Sequence, residues 1–435
     1  MLWQLALGAL SSAALFSQSI VFQHATVIDA TGAAPRTDVS VAIADGRITS
    51  IAKNIRPAPG ARVIDATGKF LIPGLWDMHV HLDASGSALP ALVANGITGI
   101  REMYSGIPIA TLASWRTRPD VPRIVAAGFL DGPLLLTAGP LPPDAYAVGT
   151  AEEARAATSS LAAAGADFLK VYNSLPREAY FAIAQESKRL GIPFAGHVPE
   201  AVSPLEASDA GQLSQEHLID ILLACSTRED DLRRDRIAIM NDPEISGYDR
   251  MLQLGFPNPE GLFDTYDESK AAALFKAFVK NGTWQAPTLA VLHGFLVNPD
   301  NARRMPYMQS LPQEQFDMWI LRIAALPERY KKLVGDMRRA GVEFLAGTDM
   351  GPSTPVTPGV GLHDELELLV QAGLTPMEAL QSATRNPARY LGKLADMGTV
   401  EPGKLADLVL LDANPLEDIR NTRKIRLVVL KGRIN

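Results

Sequence analysis

Six side chains in this chain of 435 residues have the types and placement for metal chemistry. His79 and His81 lie in Leu75-Trp76-Asp77-Met78-His79-Val80-His81-Leu82. Side chains two apart on a strand share a face, so the two imidazoles make half of a metal site at a strand end. Alone, His-x-His reads equally well as two hydrogen-bonded histidines in an ordinary strand, because short motifs recur by chance. The decision rests on Phe168-Leu169-Lys170-Val171-Tyr172, Ala195-Gly196-His197-Val198, Gln215-Glu216-His217-Leu218 and Ala346-Gly347-Thr348-Asp349. One strand histidine is usually a satisfied core residue. Four histidines, a lysine and an aspartate, each ending an apolar run, are hard to attribute to packing. Lys170 has two readings. It can snorkel to a rim. Alternatively burial lowers its pKa, and the neutral amine captures carbon dioxide as a carbamate able to bridge two cations.

The elements that must position these groups are legible as alternation. Strand-like runs fall at 71–81, 97–103, 123–130, 167–172, 193–198, 212–217, 283–289 and 342–349. Helical periodicity lies between several of them, at 177–190 and 328–340, with Gly191 and Gly341 as C-caps. Eight βα units predict an α/β protein with a (β/α)8 TIM barrel, whose chemistry sits at the C-terminal strand ends. Residues 19–70 and 396–435 are β-rich and turn-rich, and predict a small β-sandwich domain formed by both chain ends. The barrel would then span 71–395. The long connections at 131–150 and 219–282 read as lids or binding loops, with a solvated excursion as the alternative for the charged run 228–236.

Composition narrows the class. A net charge of −7 argues against a nucleic-acid partner. Cys225 is the only cysteine, so neither an intrachain disulfide nor a thiolate metal cluster can form. Residues 1–18 resemble a signal peptide, although they lack the usual Lys or Arg near the start. The expectation is export, periplasmic or secreted, with no stable membrane span in the mature chain. If the segment is not a leader, the expectation is cytoplasmic.

These motifs, with Leu374-Thr375-Pro376-Met377-Glu378-Ala379-Leu380, Thr384-Arg385-Asn386-Pro387-Ala388 and Pro402-Gly403-Lys404-Leu405-Ala406-Asp407-Leu408, resemble the amidohydrolase superfamily and its prolidase-like metallo-dipeptidases. The resemblance covers nearly the whole chain after the leader. It implies two divalent metals, for which imidazole and carboxylate donors suit zinc. His79 and His81 would bind one metal and His197 and His217 the other. A carbamate on Lys170 would bridge them, and Asp349 would bind the first metal and act as general base, then acid. It also implies a small-molecule or dipeptide substrate, with amide cleavage next to a C-terminal amino acid in dipeptides, N-acyl amino acids or ochratoxin, and leans toward a homo-oligomer.

Two rivals stand beside this reading. One is a mononuclear deaminase or cyclic-amide hydrolase of the superfamily: His197-Val198-Pro199-Glu200 resembles the deaminases' strand-five His followed by Glu, which would make Glu200 the proton shuttle. The other rival is an inactive scaffold homologue. Candidate substrate contacts are Tyr172, His293, Arg101 and His363. Arg101 reads equally as a structural ion pair, and His363 as a helix cap. Asp77 reads as a residue that orients a histidine.

Overall fold

A computed structural model describes residues 19–133, 141–242, 244–245, 254, 262, 264–297, 300, 303, 309, 312–324, 326–352 and 354–435. The leader expected at 1–18 lies outside them, as do parts of the two long connections. Among the described residues, no helix is long and apolar enough to cross a membrane.

Seven parallel strands form most of a barrel. In order around the sheet they are Leu75–Val80, Ile97–Glu102, Arg123–Asp131, Phe168–Val171, Phe194–Gly196, Ser214–Glu216 and Trp284–Ala286. A short strand, Ala145–Ala147, pairs beside the third. The eighth position is filled by 342–350, which is not a regular strand. It touches its neighbours through isolated bridges, Gln285 to Phe344 and Val80 to Met350. Leu345 N donates to Gln285 O, and Met78 N donates to Ala346 O, so the barrel is nearly closed.

The strands read as near-continuous buried runs because helices cover their outer face. Helix Arg177–Leu190 ends on Gly191 in the left-handed region, and Leu326–Arg339 is followed by Gly341 at φ 87°. The helical faces and outward strand residues pack into two large apolar clusters, one including Ile100, Leu92, Phe278, Met337 and Leu366, the other Leu130, Leu169, Tyr180, Ile183 and Phe194.

A second sheet joins the two ends of the chain. Its order is Arg433–Ile434, Ile425–Leu430, Leu408–Leu411, Phe70–Pro73, Ile20–Val27, Arg36–Ala44 and Arg47–Ala52, with Arg62–Asp65 beside Ile20–Val27. Ile20, Phe22, Ile43, Leu408 and Val429 give it its own core. The run expected as one strand at 71–81 is therefore two. Phe70–Pro73 pairs in the terminal sheet, and the chain crosses to the barrel at Gly74. A Cβ at Gly74 would lie 2.2 Å from Thr98 Oγ1, so only glycine lets the two layers meet there.

Candidate active site

The six strand-end residues converge at the C-terminal mouth of the barrel. His81, Lys170, His197, His217 and Asp349 line a cavity of about 310 Å³, together with Met103, Tyr104, Phe129 and Tyr172. His79 is fully buried beside it, its Nε2 3.4 Å from Asp349 Oδ1. His81 Nε2 lies 3.2 Å from the same oxygen. His79, His217 and Asp349 each offer a donor atom within 4.8 Å of the others.

Each imidazole is aimed by what its Nδ1 meets. His79 Nδ1 lies 2.9 Å from Glu216 Oε2, and His81 Nδ1 lies 2.8 Å from Tyr104 O. His197 Nδ1 lies 2.6 Å from Asn173 Oδ1, and His217 Nδ1 lies 2.6 Å from Thr288 Oγ1. A carboxylate and a carbonyl can only accept, so Nδ1 of His79 and His81 donates; in neutral His79, Nε2 then keeps its lone pair, while His81 Nε2 faces Asp349 and holds a proton only when the ring is charged. This is the arrangement that orients metal-ligating histidines. His197 Nε2 and His217 Nε2 lie 3.1 Å apart. The Thr288 hydroxyl can donate or accept, so His217 Nε2 either donates to His197 Nε2 or, with both Nδ1 atoms donating, presents a second lone pair that a shared cation would take up.

Two buried polar atoms here have no hydrogen-bond partner: His79 Nε2 and Lys170 Nζ. Lys170 is 1% exposed. Burial lowers its pKa to about 8, against the opposing pull of Glu216 and Asp349. Burial also pushes His79 and His197 well below the ordinary imidazole value, with the Lys170 charge adding to it. Burial lowers His217 as well. These three rings are neutral, as metal ligands must be. For His81 burial works downward too, but the bond to Asp349 and its charge prevail and raise it. For Asp349 burial works upward, but the bond from His81 and the surrounding imidazoles hold the carboxyl well below the usual range. The donor set therefore fits divalent metal.

The backbone is strained where these groups sit. Tyr104, His217, Thr288 and Asp349 have φ of 81°, 66°, 50° and 57°. Non-glycine residues rarely adopt this region, and such strain clusters at functional sites. Gly196, just before His197, has φ 132°, and a Cβ there would lie 2.3 Å from Val171 O.

Arg101 does not meet the cavity. It is fully buried beneath it and donates to both carboxylate oxygens of Glu216 at 2.8 Å. It also donates to Met78 O, Ser214 Oγ and Tyr390 Oη. Of the two expectations for Arg101, the structural ion pair matches this position, because no substrate carboxylate can reach a guanidinium so enclosed. His363 is also corrected. It lies inside helix Val360–Gln371, with Nδ1 on Thr422 Oγ1 and Nε2 on Asn95 O, buried away from the mouth. His293 is exposed on helix Leu289–Val297 and does not line the cavity. Tyr172 does line it, its ring 4.2 Å from that of His197. Asp77 accepts from the backbone N–H and hydroxyl of Thr348 and from the His79 N–H, so it fixes two strand ends rather than a ring. Asn173, Thr288 and Tyr104, which hold three of the rings, carried no expectation from the sequence. Glu216 stood inside a quoted motif with no role attached.

The sequence pattern of the Amidohydrolase family matches residues 321–434. An imidazolonepropionase of Pyrobaculum arsenaticum is 37% identical over 114 residues, which cover 25% of this chain and 28% of that protein. Ochratoxinase of Aspergillus niger is 35% identical over 101 residues, 23% of this chain and 20% of that protein. These alignments thus span less than a third of either relative. A solved structure of a putative prolidase from Bifidobacterium longum superposes with a TM-score of 0.69 at 26% identity, covering 97% of this chain and 95% of that one. The solved A. niger ochratoxinase shares the fold, with a TM-score of 0.67 at 19% identity over 96% of this chain and 95% of that one. The chain carries an amidohydrolase family domain and fits the prolidase-like part of the amidohydrolase superfamily.

Proposed function

We propose that this protein is a two-metal hydrolase that releases a C-terminal amino acid from a dipeptide, an N-acyl amino acid or a related amide such as ochratoxin. The observation that carries the reading is Lys170. Its Nζ is buried without a hydrogen-bond partner among four imidazoles and Asp349. An isolated buried ammonium is costly, and a neutral amine here has a use. Reaction with carbon dioxide forms the N–C bond of a carbamate and releases one proton, leaving a carboxylate. His79, His81 and Asp349 would hold one cation, His197 and His217 the other, and the Lys170 carbamate both. When bound, such a pair of divalent ions, zinc by donor chemistry, polarises the scissile carbonyl and acidifies a water.

The remaining steps belong to the chain. Asp349, kept ionised by its histidine neighbours, takes the proton of the attacking water and passes it to the leaving amine. Tyr172 is kept protonated by burial, with Asp131 and Asp349 nearby, so its hydroxyl can donate to the carbonyl oxygen as charge develops there. Beside the donors, Tyr104 stacks on Phe129 at 4.5 Å, and Phe129 meets Tyr172 at 5.5 Å. This wall suits a flat or aromatic acyl group.

Deamination through Glu200 is disfavoured by its placement. Glu200 is 3% exposed, and both its carboxylate oxygens receive hydrogen bonds from Arg236, at 2.6 and 2.7 Å. It does not line the cavity.

The test is a screen of dipeptides and N-acyl amino acids against fully metallated protein, read by amine release, alongside metal content of wild type and Lys170→Ala. Expected are amide cleavage, two metals in wild type, and loss of at least one metal with about 100-fold or more of the activity in the variant. Retained activity with one metal in both proteins refutes the two-metal reading. A fully metallated wild type that cleaves no amide supports the scaffold reading instead.

A further inference from the structure

The insertion after the sixth barrel strand contains a helix, Glu229–Asn241, whose charged face was open to a solvated reading. One of its arginines is not solvated. Arg236 is 8% exposed and faces inward. Its Nε and Nη2 donate to the two oxygens of Glu200, and its Nη1 donates to Leu254 O. One turn earlier, Arg233 Nη1 donates to Glu200 O and Val202 O. The helix thus grips the loop that follows the fifth strand by both backbone and side chain. That loop is tied onward: Glu200 N donates to Asn173 O at 3.1 Å, and Asn173 Oδ1 meets His197 Nδ1 at 2.6 Å.

We infer that Arg236 is a positioning residue for the second metal site, acting through Glu200 and Asn173 on the orientation of His197. This rests on the reading of His197 as a metal ligand. The chemistry favours a role beyond packing. A buried ion pair contributes little net stability compared with apolar groups of the same volume. Here the bidentate geometry fixes the loop in one register. The His197 backbone is already held, its N–H donating to Val171 O and Gly196 O accepting from Gln212 Nε2, so what the clamp can change is the orientation of the ring. Without the clamp, Asn173 loses the Glu200 N–H that holds its carbonyl, and the imidazole can turn about its ring bond.

The experiment reads metal rather than turnover. Metallated protein is challenged with a chromogenic chelator, and release of the first and second equivalents is followed for wild type, Arg236→Met, Arg236→Lys, Asn173→Ala and the Arg236→Met/Asn173→Ala double variant. A residue that orients a ligand typically changes metal affinity 10–100-fold. Expected is about tenfold weaker retention of the weaker equivalent in Arg236→Met and in Asn173→Ala, with the tighter one unchanged. Partial recovery in Arg236→Lys is expected, and no further loss in the double variant, because both act through one ring. Unchanged retention in Arg236→Met, or additive losses in the double variant, overturns the inference. If Arg236→Met does not fold, Glu200→Gln/Arg236→Gln removes both charges and is read in the same way. Wild type that holds fewer than two metals refutes the underlying two-metal reading and this inference with it. Two metals in wild type with no Arg236 effect refutes the coupling alone.

Discussion

Glu365 offers a sharp test of how the site is supported. It lies in helix Val360–Gln371 and is fully buried. Its Oε2 accepts from Ala290 N at 2.7 Å, at the start of helix Leu289–Val297, while its Oε1 has no partner. Thr288, which holds His217, immediately precedes that helix. Burial pushes the Glu365 carboxyl from an ordinary 4.5 up to about 8, against the two helix N–H groups that favour the anion. The folded protein therefore holds a proton here that the unfolded chain releases above pH 4.5. The associated stability is fully present below that value and is lost as pH rises through 8. At about 1.4 kcal/mol per pH unit, with the slope flattening near each pKa, the loss between pH 5 and pH 8 is about 3–4 kcal/mol. Glu365→Gln keeps the shape and the accepting oxygen but cannot ionise. Urea denaturation of chelated wild type and variant should show similar stability at pH 5 and a variant about 3–4 kcal/mol more stable at pH 8, at equal m-values. Titrating groups remote from Glu365 are present in both proteins and cancel in the difference, whereas Asp77 and Asp364, whose charges push Glu365 the same way, enter through it. A gap that stays flat from pH 5 to pH 8 would refute the reasoning, since it would mean that the carboxyl is already ionised in the fold. Activity of the variant should be retained, because Oε1 of glutamine can still cap the helix that positions Thr288.

Two further outcomes bear on the chemistry itself. Asp349→Asn should lower kcat by about 10²–10⁴-fold, the usual contribution of a positioned base, with KM nearly unchanged; a change confined to KM would remove Asp349 from the proton transfer. Phe129→Ala should cost about 1 kcal/mol, about fivefold in kcat/KM, for N-aroyl amino acids, and under twofold for N-acetyl ones. Equal losses for both series would mean that the aromatic wall does not contact the acyl group.

What the sequence made legible, and what it hid, divides by how far apart interacting residues lie. The six site residues were readable because each interrupts an apolar run at a strand end, where a polar group has no packing reason to be. The strand at 71–81 was misread as one because its apolar character runs straight through Pro73 and Gly74. The two halves differ only in which sheet they pair with, and that is decided by Leu408–Leu411, more than three hundred residues away. The eighth strand position was found, but not its irregularity. Gly347 must clear His79, where a Cβ would sit 2.8 Å from that residue's own, and Asp349 must turn to φ 57° to face the imidazoles.

The groups that aim the rings were hidden for the same reason. Glu216 and Arg101 are 115 positions apart, and His217 and Thr288 are 71 apart. One signal was nonetheless available. Ser214 and Glu216 stand two apart in a buried strand, so both point into the barrel. Arg101 stands in another buried strand with no acid two positions away. Buried charges are paired, and a barrel interior offers few partners. Matching that arginine to that glutamate links the second and sixth strands through the floor of the site, directly under His79. Arg101 is thereby removed from the substrate contacts. It holds Glu216, which in turn fixes the tautomer of the most deeply buried imidazole, so the charge that looked like a substrate anchor acts on the metal ligand from behind.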